Sequence, residues 1–324
     1  MLPDNFFRIP RLSLAPLNTP IENMGRLASV IKDAPGLYIK RDDFIGQLVW
    51  GNKLRKLEYT IAHALSTGAD TLITCGAIQS NHARTTAQVA RRLGIDCILV
   101  LNGVEPESFT GNFRVIKLMN VKVHIVETRE QREPEMIRIS EELKKKGKKP
   151  FLIPLGASDM YGVPGFINAI HELIEQQKSL GINFTHIYHS TASGGTQGGL
   201  EAGKRIFDLK GLKITGISAD GSVDEIAMNV MKSANPFLEK LGATDLIRKE
   251  ELTIYSDFVG TGYGIPTAGS DRARNMFLDN EGILLDNTYT SKAADGLISH
   301  CEAGMFKKSD NVLFWHTGGL ISLF

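Results

Sequence analysis

From residue 36 onward, short apolar runs alternate with stretches in which apolar side chains return every three or four positions. The runs are GLYIKRDD, TLITCG, CILVLNG, VKVHIVE, KPFLIPLG, THIYHSTA, LKITGISA, GILLDNTY and NVLFWHTGG, and the helical periodicity occupies 52–67, 81–93, 133–146, 162–179 and 196–208. Such alternation predicts an α/β fold of βαβ units: open, twisted, mostly parallel sheets with helices on both faces. In folds of this kind ligands bind beyond the carboxyl ends of the strands, so the loops that follow the runs are where chemistry is expected. No internal repeat or low-complexity segment interrupts the pattern. Residues 56–164 read as a smaller α/β unit inserted into a larger one formed by 1–55 and 165–324.

The helix that begins near residue 52 has an unusual start. Asn52 reads as its N-cap, and Leu54, Leu57, Ile61, Ala62 and Leu65 follow at helical spacing. Yet Lys53, Arg55 and Lys56 crowd the first turn, where the helix dipole disfavours cations. Two readings account for them: a solvated charged face, or an anionic ligand or amine-seeking aldehyde at the helix start.

Composition narrows the classes. A chain of 324 residues, 42% hydrophobic and 23% charged, has room for two globular domains. Its 37 basic and 36 acidic side chains leave no global field to draw in nucleic acid or an anionic membrane. Cys75, Cys97 and Cys301 are too scattered for a zinc site or a disulfide framework, which suits a reducing compartment. The first residues lack the charged and apolar regions of a secretory leader, and no run reaches transmembrane length, so the cytoplasm is expected. No H-E-x-x-H spacing occurs and no metal is expected, and the absence of G-x-S-x-G counts against a hydrolase triad.

Two loops could carry chemistry. HIYHSTASGGTQGGLEAGKRIF reads as strand, glycine-rich turn and helix, in which backbone N–H groups and the hydroxyls of Ser193 and Thr196 could cup a phosphate. Close strand-to-helix packing is the plainer explanation of the same glycines. The loop departs from the dinucleotide fingerprint, placing Ser193, Gly195 and Gly198 on that template, although Asp220 after the next strand could imitate a ribose ligand. The second loop, TCGAIQSNHARTTAQVARRLG, sets Ser80 and Asn81 at a helix start and Gly94 at its stop, and leaves Gln79 and His82 over. Tyr263, Tyr289 and His316 stand in polar, glycine-flanked places, where packing explains them as readily as function does.

Taken together, GNKLRKLEY, GAIQSNHAR, GAS with GVPGF, SGGTQGGL, TGYG, YTSKA and HTGG resemble, in order and spacing, the D-cysteine desulfhydrase and 1-aminocyclopropane-1-carboxylate deaminase family across nearly the whole chain. The resemblance implies a homodimeric lyase that uses pyridoxal 5′-phosphate on a two-domain fold like that of the tryptophan synthase β-subunit (fold type II), with a small amino acid as substrate. Lys53 would then match the lysine that carries the cofactor, with Lys56 one turn on supporting the phosphate. Ser193, Gly194, Gly195 and Thr196 would form the phosphate cup, Asn81 would meet the ring oxygen, and Thr290 would face the ring nitrogen. Ser80, Tyr263 and Tyr289 match polar groups beside the substrate, Gln79 and Ser80 would receive its carboxylate, and Asn81 would also lie against the substrate. The ring-opening deaminases have glutamate and leucine where this chain has Thr290 and Thr317, which points to β-elimination from D-cysteine. Cysteate, chloroalanine, D-serine and the cyclopropane amino acid are the related alternatives, and a nicotinamide-dependent dehydrogenase is the unrelated one. Trp50, where the family has glycine, is expected to reshape the substrate pocket or the backbone of its loop.

Overall fold

The structure, a computed structural model, describes residues 6–46 and 50–324. In chain order its strands are β1 (Ile21–Asn23), β2 (Gly36–Arg41), β3 (Thr71–Ala77), β4 (Asp96–Asn102), β5 (Lys122–Val126), β6 (Pro150–Ile153), β7 (His186–Thr191), β8 (Lys213–Ser218), β9 (Thr253–Tyr255) and β10 (Asn311–His316). The helices are α1 (Gly25–Val30), α2 (Asn52–Ser66), α3 (Asn81–Leu93), α4 (Gly111–Leu118), α5 (Arg132–Lys145), α6 (Pro164–Leu180), α7 (Gly195–Ile206), α8 (Val223–Lys240), α9 (Ala268–Glu281) and α10 (Thr290–Glu302).

These strands form two sheets, ordered β1-β2-β10-β7-β8-β9 and β5-β4-β3-β6. Every pairing is parallel except that of β1 with β2. The period-two pattern of a strand shows why helices cover both faces. In β10, Val312 and Phe314 join α1, α9 and α10 on one side, while Leu313 and Trp315 meet α6 and α7 on the other. In β3, Leu72 packs with α2 and α3, and Ile73 and Cys75 pack with α5.

Two expectations change. GILLDNTY is not a strand: Ile283 and Leu285 are buried, but the segment pairs with no neighbour and turns into α10 at Thr290. The expected junction at residues 55 and 56 falls inside α2, which runs through it unbroken and contributes Leu54 and Leu57 to the core of the smaller sheet. Among the described residues no helix is long and apolar enough to cross a membrane, and no group of His, Cys, Asp and Glu could hold a metal ion.

Candidate active site

The carboxyl ends of both sheets face one cleft with about 1220 Å³ of free space, its open mouth included. The segments after β3, β6, β7, β8 and β10 and the last residue of β4 supply lining residues, among them Ser80, Gly156, Ser193, Asp220, Thr317 and Asn102. In open α/β folds ligands bind outside the carboxyl ends of the strands, and this cleft lies there.

Lys53 enters this cleft from the first turn of α2. Gly51, not Asn52, is the N-cap. Its φ of +60° and a Cβ position only 2.6 Å from the Thr317 carbonyl oxygen leave room for glycine alone. Asn52 is thereby freed to use its side chain: Nδ2 donates to Thr196 Oγ1 at 3.1 Å, and its backbone N–H donates to the Thr317 carbonyl at 3.0 Å. Half-buried Lys53 has its pKa lowered to about 8 by desolvation, partly opposed by the Asp286 carboxylate. Its Nζ lies 5.9 Å from the centre of the Tyr289 ring.

The other two cations of that turn are not solvated. Arg55 is fully buried and bonds both oxygens of Asp42, each at 2.7 Å, and Glu172 at 2.8 Å. Lys40 joins the same network through Glu172. Arg55 therefore fastens α2 to the end of β2 and to α6, a structural task apart from the cleft. Lys56 is also buried and does not line the cleft; its Nζ is 3.4 Å from Ser158 Oγ, behind the glycine loop. Burial and then the charge of Lys53 hold Lys56 well below its ordinary range.

The glycine loop meets the start of α7. Gly194, at φ +77°, packs so closely on Asn229 and Val230 that an added Cβ would sit 2.7 Å from their backbone. Ser158 holds the loop from the opposite side, its Oγ accepting from Gly195 N at 3.2 Å and lying 2.8 Å from Ser193 Oγ. Ser193, Gly194 and Thr196 line the cleft, and Gly195 opens the helix. Unpaired N–H groups at a helix start, two hydroxyls and the Asn52 amide make this end of the cleft a receptor for an anion.

Opposite stands α3. Ser80 caps it, accepting from Ala83 N at 3.1 Å, and Asn81 follows with Oδ1 held by Asn112 Nδ2 at 3.0 Å. Both line the cleft, as does His82, whose Nε2 pairs with Thr74 Oγ1 at 2.8 Å. Gln79 does not: its side chain receives Asn112 N at 2.9 Å and donates to the Thr110 carbonyl at 3.2 Å, fixing the start of α4. Trp50 is outside the cleft as well. Its ring packs against the core of the smaller sheet beneath Arg92, 5.5 Å away.

Tyr263 and Tyr289 close a third side, their hydroxyls 2.6 Å apart. Burial pushes Tyr263 up to about 12 and Tyr289 well above its ordinary value, so both are neutral phenols at neutral pH. The loop bearing Tyr263 is anchored by buried Lys292, which donates to the carbonyls of Val259 at 2.6 Å and Gly262 at 3.0 Å. Thr290 is fully buried and is not part of the cleft lining; its hydroxyl donates to Asp286 Oδ1 at 2.7 Å and accepts from Asp286 N at 2.8 Å. Asp286 also receives the backbone N–H groups of Thr288, Tyr289 and Thr290, and thus serves the start of α10. At the mouth, Asp220 is paired with Arg129 at 3.3 Å.

Sequence reasoning did not single out Asp286, Lys292, Arg129 or Arg132 for the site. Ser158 stood inside the quoted GAS motif and Asn52 was read only as a cap. Asp286 carried a local signal, an acid two to four positions before the N–H groups that it receives at a helix start, whereas Asn52 and Ser158 had none, their partners Thr196 and Ser193 lying 144 and 35 positions away.

A profile of the family described as pyridoxal-phosphate dependent enzyme matches residues 12–318. D-cysteine desulfhydrase of Yersinia pestis (strain Pestoides F) is 34% identical over 322 residues, covering 98% of this chain and 96% of the relative. A putative 1-aminocyclopropane-1-carboxylate deaminase of Pyrococcus abyssi is 36% identical over 319 residues, covering 98% and 94%. Among solved structures, an ACC deaminase homologue superposes with a TM-score of 0.86 at 33% identity, covering 100% of this chain and 97% of that one. The processed form of threonine deaminase isoform 2 from Solanum lycopersicum, at 17% identity and a TM-score of 0.67 over 97% of this chain and 82% of that one, shares the fold.

Proposed function

The chain belongs to the pyridoxal-phosphate dependent enzyme family, and from that premise we propose that it is a β-eliminating lyase converting D-cysteine and water to pyruvate, hydrogen sulfide and ammonia. The observation that carries the reading is Lys53, a lysine brought to about 8 inside a cleft that has an anion receptor at one end and a phenol pair at its side.

The residues present suit the cofactor. Ser190 Oγ, Thr191 Oγ1, Asn102 Oδ1 and His82 Nδ1 are buried in residues of the cleft wall without a hydrogen-bond partner among the described residues, as expected of a wall built around a polar guest. Ser193, Gly194, Gly195 and Thr196 would hold the phosphate, Asn81 the ring oxygen, and Lys53 the aldehyde carbon. When bound, pyridoxal phosphate supplies the electron withdrawal that makes the substrate's α-proton removable and its β-substituent expellable.

The chain's own groups do the rest. Desolvation leaves a usable fraction of Lys53 as free amine near neutral pH, so Nζ can take the proton from Cα. Tyr289, its ring near that Nζ, and Tyr263 keep their protons and can hydrogen-bond to the departing sulfur. Ser80 and the start of α3 offer donors for the substrate carboxylate. Thr317 adds a hydroxyl to the wall where the deaminases have leucine, which suits a small polar side chain.

The alternative, deamination of 1-aminocyclopropane-1-carboxylate, draws support from the relative in Pyrococcus abyssi. Steady-state kinetics on both compounds decide between them: D-cysteine should give the higher kcat/KM, read as sulfide and pyruvate. Faster formation of 2-oxobutyrate from the cyclopropane amino acid would overturn the assignment. We place the enzyme in the cytoplasm, as three free buried thiols suit, and as a homodimer, which sedimentation of the holoenzyme tests.

A further inference from the structure

A second cleft, sharing no lining residue with the first, opens beside another face of α2. It has about 1070 Å³ of free space, mouth included. Tyr59 and His63 of α2, Tyr161 and Phe237 give it an aromatic interior, and Arg8 and Lys240 are its charged lining residues. The His63 and Tyr161 rings stack face to face, 3.8 Å apart and 11° from parallel, forming a flat wall. No carboxylate lines the cleft, and neither cation makes an ion pair among the described residues. Desolvation, followed by the charge of Lys240 and opposed by the carboxylate of Asp159, lowers the His63 pKa.

We propose that this cleft is a binding site for a small aromatic anion, its ring lying against the His63–Tyr161 wall and its charge between Arg8 and Lys240. Apolar walls with a few convergent polar groups are the usual make-up of small-molecule sites. Two cations without an ion pair among the described residues, and without a lining acid, select the sign of the ligand's charge. The site is connected to the glycine loop. Tyr161 and Gly162 donate their N–H groups to Asp159 Oδ1 at 3.0 and 2.9 Å, and the preceding residue is Ser158, which holds Ser193 and Gly195. A ligand on Tyr161 therefore bears on the turn that supports the anion receptor of the first cleft. The proposal is independent of which amino acid the enzyme consumes.

Fluorescence titration of the holoenzyme with 8-anilinonaphthalene-1-sulfonate tests it. One saturable site per chain is expected. Combined R8E and K240E substitutions should weaken that site at least about tenfold, the loss of contacts to a charged group, while turnover of the amino acid substrate is retained. The milder pair R8Q and K240Q should weaken it in the same direction, which separates charge loss from misfolding. Non-saturable binding, or binding indifferent to both pairs, would overturn the proposal. So would affinity that falls as protein concentration rises, since a second copy would then cover the cleft.

Discussion

Replacing Lys53 with methionine should make the cofactor-free protein more stable at pH 7 and leave it no more stable near pH 11. Folding lowers the lysine from 10.5 to about 8, chiefly by desolvation. Between those values the unfolded chain binds more protons than the folded one, so the wild type gains stability as pH rises through this window. Below pH 8 the amine is charged in both states, and the full cost of confining that charge is present. Two and a half units correspond to roughly 3 kcal/mol at about 1.4 kcal/mol per unit. This is an upper figure, because Lys53 keeps some exposure to the cleft. Methionine preserves the length and apolar stem without the charge. It also relieves Lys56, whose own pKa is depressed by Lys53 after burial. Urea denaturation of both apoproteins at pH 7 and at pH 10.5 to 11 gives the difference. A gain of equal size at both pH values would place its origin in packing and refute the electrostatic reasoning. No gain at pH 7 would mean that Lys53 is not desolvated.

S193D combined with T196A should weaken pyridoxal phosphate binding by about 1.5–3 kcal/mol for each lost contact, measured by equilibrium dialysis of the apoprotein; unchanged affinity would move the anion receptor elsewhere. T290E should lower the melting temperature sharply, because it sets a second carboxylate against buried Asp286, and an uncompensated buried charge costs about 3–5 kcal/mol. K292M should release the 259–262 loop, reduce kcat by about tenfold to a hundredfold through a displaced Tyr263, and speed amide hydrogen exchange across that loop, with K292R restoring part of both. R129A, which removes an exposed pair with Asp220, should shift stability by no more than about 1 kcal/mol.

The sequence by itself determined the alternation of strand and helix, the parallel sheets with helices on both faces, and the glycine turn between β7 and α7. It also determined the cap of α3 at Ser80 and its stop at Gly94, where φ is +69°. Those features are periodicities and short-range backbone preferences, complete within a dozen residues. The segment GILLDNTY shows where such reasoning ends: it has the apolar run of a strand, but Asp286 gathers the N–H groups of the next turn and commits the chain to a helix. The resemblance carried in GNKLRKLEY and SGGTQGGL pointed to Lys53 and the glycine loop, yet the different surroundings of Lys53, Arg55 and Lys56 were settled only by tertiary structure. Arg55 is taken by Asp42 and Glu172, 13 and 117 positions away, and Lys56 by burial behind Ser158. Tertiary structure alone removed Trp50 and Gln79 from the cleft, withdrew Thr290 behind its wall and brought Tyr263 to Tyr289. A side chain's identity fixes which bonds it can make. Which partner arrives within 3 Å depends on how the two sheets meet, and no local pattern in the chain records that.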